Sequence, residues 1–173
     1  PFMSGVKGSN EFLYGCASVP VTVTENGFRF LVDWTSGQKT GFFIDQRENR
    51  NLLNAYTKGK KVLNMFGYTG AFSVYAMKDA DIVHTVDSSA GAIELTDENI
   101  RLNYGDDKRH RSFTADAFEF LADIKDKYDS IILDPPAFAK HNNVLSNALQ
   151  GYKRLNMKAI EQIKPGGIIF TFS

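Results

Sequence analysis

The stretch Val62–Ala76, VLNMFGYTGAFSVYA, decides the fold. An apolar, strand-like run ends at Phe66, a short turn holding Gly67 and Gly70 follows, and a helical pattern begins directly behind it. A strand that passes through a glycine turn into a helix builds a nucleotide-type site in an α/β sheet. Glycine permits the tight turn and lets a ligand or a neighbouring chain come close. A dinucleotide loop reads G-x-G-x-x-G around a pyrophosphate. Here the turn offers only G-x-x-G, with Tyr68 and Thr69 between the glycines, and Asn64 stands where the turn begins. Such a turn suits a ligand with ribose and adenine but no phosphate to cradle.

Working outward, the pattern repeats. From Lys60 the strand-like runs VLNMF, DIVHTVD, SFTAD, YDSIILD and GGIIFTFS alternate with helical segments at 70–79, 89–103, 117–126 and 145–163. Strands this apolar, alternating with helices, imply a parallel sheet covered on both faces. Upstream the reading is β. VPVTVT alternates, ENG places Asn26-Gly27 at a hairpin tip, and FRFLVDW alternates again before a helix at 46–57. The expectation is an α/β fold with two parts: a β-rich appendage over residues 1–45 and a main domain over 46–173.

Composition narrows the classes. Of 173 residues, 43% are hydrophobic and 13% aromatic, which supports a packed core and argues against disorder. Twenty acidic and twenty basic residues cancel, so no global basic field draws in a polyanion. The single cysteine, Cys16, excludes a disulfide within the chain and is simplest in a reducing, cytoplasmic setting. No apolar run approaches the ~18 residues of a membrane span, and PFMSGVKGSN lacks the form of a signal peptide.

In parallel sheets ligands bind beyond the carboxyl ends of the strands, so those ends carry the chemistry. The second main-domain strand ends in Asp87, twenty positions after Gly67, where an acid suits the two hydroxyls of a ribose. The third ends in Asp116 and the fourth in Asp134. A carboxylate after a strand also serves as the N-cap of the next helix, and Ser88 and Ser89 are available to cap in place of Asp87. Three acids at three successive strand ends suit S-adenosylmethionine, whose sulfonium is positive. The turn would take its amino-acid half, Asp87 its ribose, and Asp116 with the backbone after it its adenine. The fourth end, DPPAFAK from Asp134 to Lys140, has two prolines that cannot donate backbone hydrogen bonds. They hold carbonyls outward at a rigid rim that, with Phe138, suits a flat, amino-bearing ring; a plain strand-to-loop stop is the alternative.

At this point GQKTGFFIDQREN, VLNMFGYTGAF, VDSS, SIILDPPAFAK and GYKRLNMKAIEQIKPGGIIFTFS together resemble the bacterial cytosine-5 methyltransferases of large-subunit ribosomal RNA, from about Tyr14 to the last residue. The resemblance implies a Rossmann-like, class I S-adenosylmethionine-dependent enzyme with ribosomal RNA as partner. The family carries a PUA domain, a small β-rich domain and then the catalytic domain; residues 1–45 resemble part of the middle one, and the PUA domain has no counterpart in these residues. Cofactor contacts are expected from Asn64, Phe66, Gly67, Tyr68, Thr69, Gly70, Asp87, Ser88, Asp116 and Ala117. Asp134 is the expected catalytic residue. Pro135, Pro136, Phe138 and Lys140 are the expected substrate contacts, and no metal is called for. Lys39, Arg47, Lys153 and Arg154 are available to RNA phosphates and equally fit solvated surface, as does the DDKRHR loop at 106–111.

The implied chemistry needs more than these residues. Carbon 5 of cytosine is a weak nucleophile until a thiolate adds to carbon 6, and the base must leave its stack to be reached. The resemblance places that thiol after the fifth strand in a Thr-Phe-Ser-Cys-Ser stretch, and the chain stops at Thr171-Phe172-Ser173. Cys16 is read as incidental, the chain as a fragment inactive by itself, and further strands are expected after residue 173. Two other readings stay open: a guanine-N7 methyltransferase of the same RNA, and a non-catalytic nucleotide-binding module. The sequence leaves the oligomeric state open, a homodimer included.

Overall fold

The computed structural model describes residues 14–16, 18–35, 40–137 and 145–172. The hairpin is as expected: β1 (Val21–Glu25) and β2 (Phe28–Val32) pair antiparallel, with Glu25 opposite Phe28. Asn26 and Gly27 at its tip have φ of 48° and 87°, the left-handed pair that a two-residue hairpin turn requires. A 3-10 turn at Ile44–Gln46 leads into α1 (Arg47–Thr57).

The main domain then alternates β3 (Lys61–Met65), α2 (Ala71–Ala76), β4 (Ile82–Asp87), α3 (Ala90–Tyr104), β5 (His110–Thr114), α4 (Ala117–Asp123), β6 (Tyr128–Leu133), α5 (Leu145–Gln162) and β7 (Ile163–Thr171). All five strands are parallel, in the order β5-β4-β3-β6-β7. The chain steps one way from β3 to β5 and then returns to β6 on the other flank. The topological switch point, where such sheets bind ligands, therefore lies between β3 and β6.

Alternation along the strands sorts two cores. Val62, Val83 and Ile132 face one side, with Leu53 of α1, Phe72, Val74 and Tyr75 of α2, and Ile100 of α3. Leu63, Met65, Val86, Ile131 and Leu133 face the other, with Leu121 of α4 and Leu155 and Ala159 of α5. Phe30 and Val32 of the hairpin belong to the first core, so the hairpin packs over α2 and α3.

Local chemistry sets most boundaries. Gly70, at φ 73°, starts α2. Ser89 caps α3 by accepting from the Ala92 N–H, and Gly105 ends it at φ 64°. Four elements differ from the sequence expectation, the first being β5, which ends at Thr114 so that Asp116 lies beyond it. The α2 helix stops at Ala76 and α4 at Asp123, where Ile124 turns extended with ψ 131°. The β7 strand begins earlier than its apolar run: Ile163 pairs Tyr128 and, after an irregularity, Ile168 pairs Ser130.

Candidate active site

The described residues among those expected at the site meet at the carboxyl ends of the strands. Adjacent strands carry them: β3 and β6 are in register with Met65 opposite Leu133, so the turn after β3 lies beside Asp134 after β6. On the other flank β4 brings Asp87 alongside, and Asp116 follows β5 two residues beyond Thr114, the register partner of Asp87.

The turn itself is strained. Phe66 and Tyr68 have φ of 59° and 46°, a conformation bulky side chains avoid. Such residues persist only where the surroundings over-determine them. The Gly67 N–H donates to the Val86 carbonyl at 3.0 Å, and the Gly70 N–H donates back to the Gly67 carbonyl at 2.8 Å. Asp87 holds the turn from the side: its Oδ2 accepts from the Tyr68 N–H at 3.0 Å and its Oδ1 from the Ser89 N–H at 2.9 Å. Those bonds aim the carboxylate and leave further lone pairs on both oxygens for donors from a ligand. Ser88 is exposed beside it.

The close approach that the glycines permit is to the protein's own side chains. A Cβ on Gly67 would lie 2.3 Å from Thr85 Cγ2, and one on Gly70 2.7 Å from Thr96 Cγ2. Thr69 is buried beneath. Asn64 is 1% exposed; its Nδ2 donates to Ser73 Oγ at 2.9 Å, and its Oδ1 has no partner among the described residues. From Ser73 the bonding continues to Thr85 at 2.6 Å and on to His110 Nε2 at 2.8 Å.

Asp116 is the N-cap of α4: its Oδ1 accepts from the Phe118 and Glu119 N–H groups at 2.8 and 3.1 Å. The capping alternative raised by the sequence is thus real. Its Oδ2 projects from an exposed residue, next to buried Ala117. Asp134 is partly buried, and loss of water raises its pKa above its ordinary value; Asp45 reinforces the rise and Arg50 opposes it. Pro135 is buried and Pro136 exposed, while Phe138, Lys140 and Lys39 lie outside the described residues.

Sequence reading missed several contributors. Phe43 packs edge-on against Tyr68 at 5.5 Å, so the segment before α1 covers the turn. The same segment brings Asp45 within electrostatic reach of Asp134. On α3, Thr96 Oγ1 donates to the Tyr68 carbonyl at 2.9 Å and Asn99 Nδ2 to the Thr69 carbonyl at 2.8 Å. The available signal was polar residues on the inner stripe of an otherwise amphipathic helix. Of the basic positions proposed for phosphates, Arg47 bonds Asn26 and Arg154 lies over the Phe118 ring; Arg109 of the 106–111 loop is tied to Asp107.

The arrangement can hold a cationic, hydroxyl-rich ligand. The acceptors are the buried Asn64 amide oxygen, which has no partner among the described residues, and the carboxylates of Asp87 and Asp116, with no lysine or arginine in the turn. S-adenosylmethionine fits this donor-seeking set: its ammonium and ribose hydroxyls donate, and its sulfonium is positive.

Comparison with known proteins gives the same result. The family described as S-adenosylmethionine-dependent methyltransferase matches residues 6–172. The chain is 42% identical over 160 residues to ribosomal RNA large subunit methyltransferase I of Shewanella denitrificans, covering 90% of this chain and 40% of that protein. It is 42% identical over 175 residues to the protein of that name in Aeromonas hydrophila, covering 98% and 44%. Among solved structures it is similar to SMU.776 complexed with SAH (S-adenosylhomocysteine), with a TM-score of 0.79, 34% identity, and 91% of this chain and 43% of that one covered. The chain spans about two fifths of the length of the curated relatives it matches.

Proposed function

The chain belongs to the S-adenosylmethionine-dependent methyltransferases, and from that premise we propose that it is the cofactor-binding part of an enzyme that forms 5-methylcytosine in large-subunit ribosomal RNA. The observation that carries the reading is the Asp134-Pro135-Pro136 strand end set beside the strained turn at the switch point. Cofactor and base would there lie on adjacent strand ends. The ribosomal substrate is supported by the names of the relatives and by the resemblance of the whole motif set.

In this reading Asn64 and the turn from Phe66 to Gly70 hold the methionine half, Asp87 and Ser88 the ribose, and Asp116 with Ala117 the adenine. The bound cofactor supplies an electrophilic methyl group. Asp134 faces the base. Burial shifts its pKa upward, and the carboxyl would hydrogen-bond the ring edge and help the ring accept electrons when a thiolate adds to carbon 6. Pro135 and Pro136 fix that carboxyl. Cys16 is exposed and precedes the hairpin, so it is not assigned as the thiolate. In the full-length protein, a covalent adduct with RNA containing 5-fluorocytosine should form and should survive Cys16→Ser.

The test of the Asp134 role is a split effect in Asp134→Ala. S-adenosylhomocysteine affinity should stay near wild type, while the single-turnover methylation rate falls by roughly 10²-fold or more, the scale of a positioned proton-handling group. A near-normal rate at saturating cofactor refutes the role. A rate loss that follows weakened cofactor binding reassigns Asp134 to the cofactor.

A further inference from the structure

Three polar side chains lie along one stripe of α3, at spacings of three and four residues: Thr96, Asn99 and Asn103. Each bonds backbone of another element. Among the described residues, Thr96 bonds the turn, through the Tyr68 carbonyl. Asn103 reaches the hairpin: its Oδ1 accepts from the Arg29 N–H at 2.9 Å, and its Nδ2 donates to the Arg29 carbonyl at 2.7 Å and, within α3, to the Asn99 carbonyl at 2.8 Å. Asn99 does both. Its Oδ1 accepts from the Leu31 N–H of β2 at 2.7 Å, while its Nδ2 donates to the Thr69 carbonyl at 2.8 Å.

Thr96 and Asn99 are fully buried, where a lost partner leaves a polar atom without water to replace it. The turn they grip contains two non-glycine residues in left-handed conformation, which hold only while neighbours enforce them. The amide of Asn99 has one fixed orientation, because exchanging its oxygen and nitrogen would set a donor against the Leu31 N–H and an acceptor against the Thr69 carbonyl. The outer edge of β2 thereby orients the group that holds the turn.

We propose that Asn99 is a positioning residue for the cofactor turn, and that through it the docking of β2 governs how firmly the turn holds S-adenosylmethionine; the inference rests on the cofactor reading above. By reciprocity, cofactor binding must tighten the Asn99 bond to β2 as much as that bond tightens cofactor binding.

The experiment is calorimetry with S-adenosylhomocysteine on the intact protein and on Asn99→Asp and Asn103→Ala, with amide hydrogen exchange read at Leu31 and Arg29. Asn99→Asp keeps an acceptor for Leu31 but loses the donor to Thr69 and sets a carboxylate against its carbonyl. Affinity should fall about tenfold or more in Asn99→Asp and by less than about threefold in Asn103→Ala. In the wild type, S-adenosylhomocysteine should slow exchange at Leu31 at least about fivefold more than at Arg29, and Asn99→Asp should erase the difference. Equal affinity losses in the two variants, or an unchanged affinity in Asn99→Asp, overturn the proposal while leaving the cofactor reading intact. The exchange comparison in the wild type needs no variant, so equal slowing at Leu31 and Arg29 overturns the coupling even where Asn99→Asp does not fold. A wild-type protein that does not bind S-adenosylhomocysteine overturns the cofactor reading and this inference together.

Discussion

At the scale of single residues, Gly67 separates two reasons for a glycine that a sequence cannot tell apart. Its neighbours Phe66 and Tyr68 carry the left-handed φ values, each costing about 1–3 kcal/mol, and Gly67 itself does not need one. What it needs is room, because an added Cβ would lie 2.3 Å from Thr85 Cγ2 and in ordinary contact with its other neighbours. Gly67→Ala should therefore cost about 1–3 kcal/mol by overpacking. Thr85→Ser removes the offending methyl and keeps the hydroxyl that bonds Ser73 and His110. The double variant Gly67→Ala/Thr85→Ser should regain most of that loss in denaturant unfolding. A double variant no more stable than the sum of its parts would place the constraint in the backbone.

At the scale of elements, one buried ion pair joins the hairpin to two helices. Arg50 of α1 donates to both oxygens of Glu25 at the end of β1, at 2.9 and 2.8 Å, and the Tyr75 hydroxyl of α2 donates to the same carboxylate at 2.9 Å. Burial first, and then Glu25, push Tyr75 up to about 12, so it stays a donor. The Arg50 guanidinium also lies 4.9 Å from the Phe42 ring centroid. With Arg50 2% exposed, removing it strands a buried carboxylate. Arg50→Leu should destabilise by about 3–5 kcal/mol, and adding Glu25→Leu should give back part of that, because replacing a whole buried pair costs less than breaking it. Unfolding curves of the two single variants and the double supply the cycle. Strictly additive losses would show that the pair is not coupled.

At the scale of the whole molecule, two partly buried histidines are expected to weaken the fold as pH falls. Burial lowers His84 to about 4, assisted by Lys61, Arg111 and His110 and opposed by Asp126. Burial also lowers His110, against the pull of Asp97 and Asp107. A histidine whose folded pKa is depressed takes up its proton more readily when unfolded. The stability contributed by its neutral form is complete above the ordinary value near 6.5 and is lost as pH falls through the folded value. For His84 that window runs from about 6.5 to about 4. Asp134 acts oppositely, since its raised pKa makes ionisation costly as pH rises above its ordinary value. The melting temperature should fall between pH 6.5 and 4.5, and His84→Gln should make that fall shallower even if it lowers stability at pH 7.5 through loss of the Tyr128 bond. An equally steep fall in His84→Gln would assign the acid limit elsewhere.

The sequence by itself determined the alternation of strands and helices, the hairpin at Asn26-Gly27, and the placing of Asn64, Asp87, Asp116 and Asp134 at or just beyond strand ends. These follow from local rules: apolar run length, side-chain period, turn chemistry and the placement of glycine and proline act within a few residues. It also reached the methyltransferase family, because the motifs at the strand ends are contiguous. Tertiary structure alone decided the order β5-β4-β3-β6-β7, which brings Asp134 beside the turn across more than sixty positions of chain. It decided that Gly67 yields to Thr85, and that Phe43, Thr96 and Asn99 hold the turn. Each is a contact between elements distant in sequence. Local pattern marks such a residue only as buried or polar, and its partner exists once the sheet has brought the elements together.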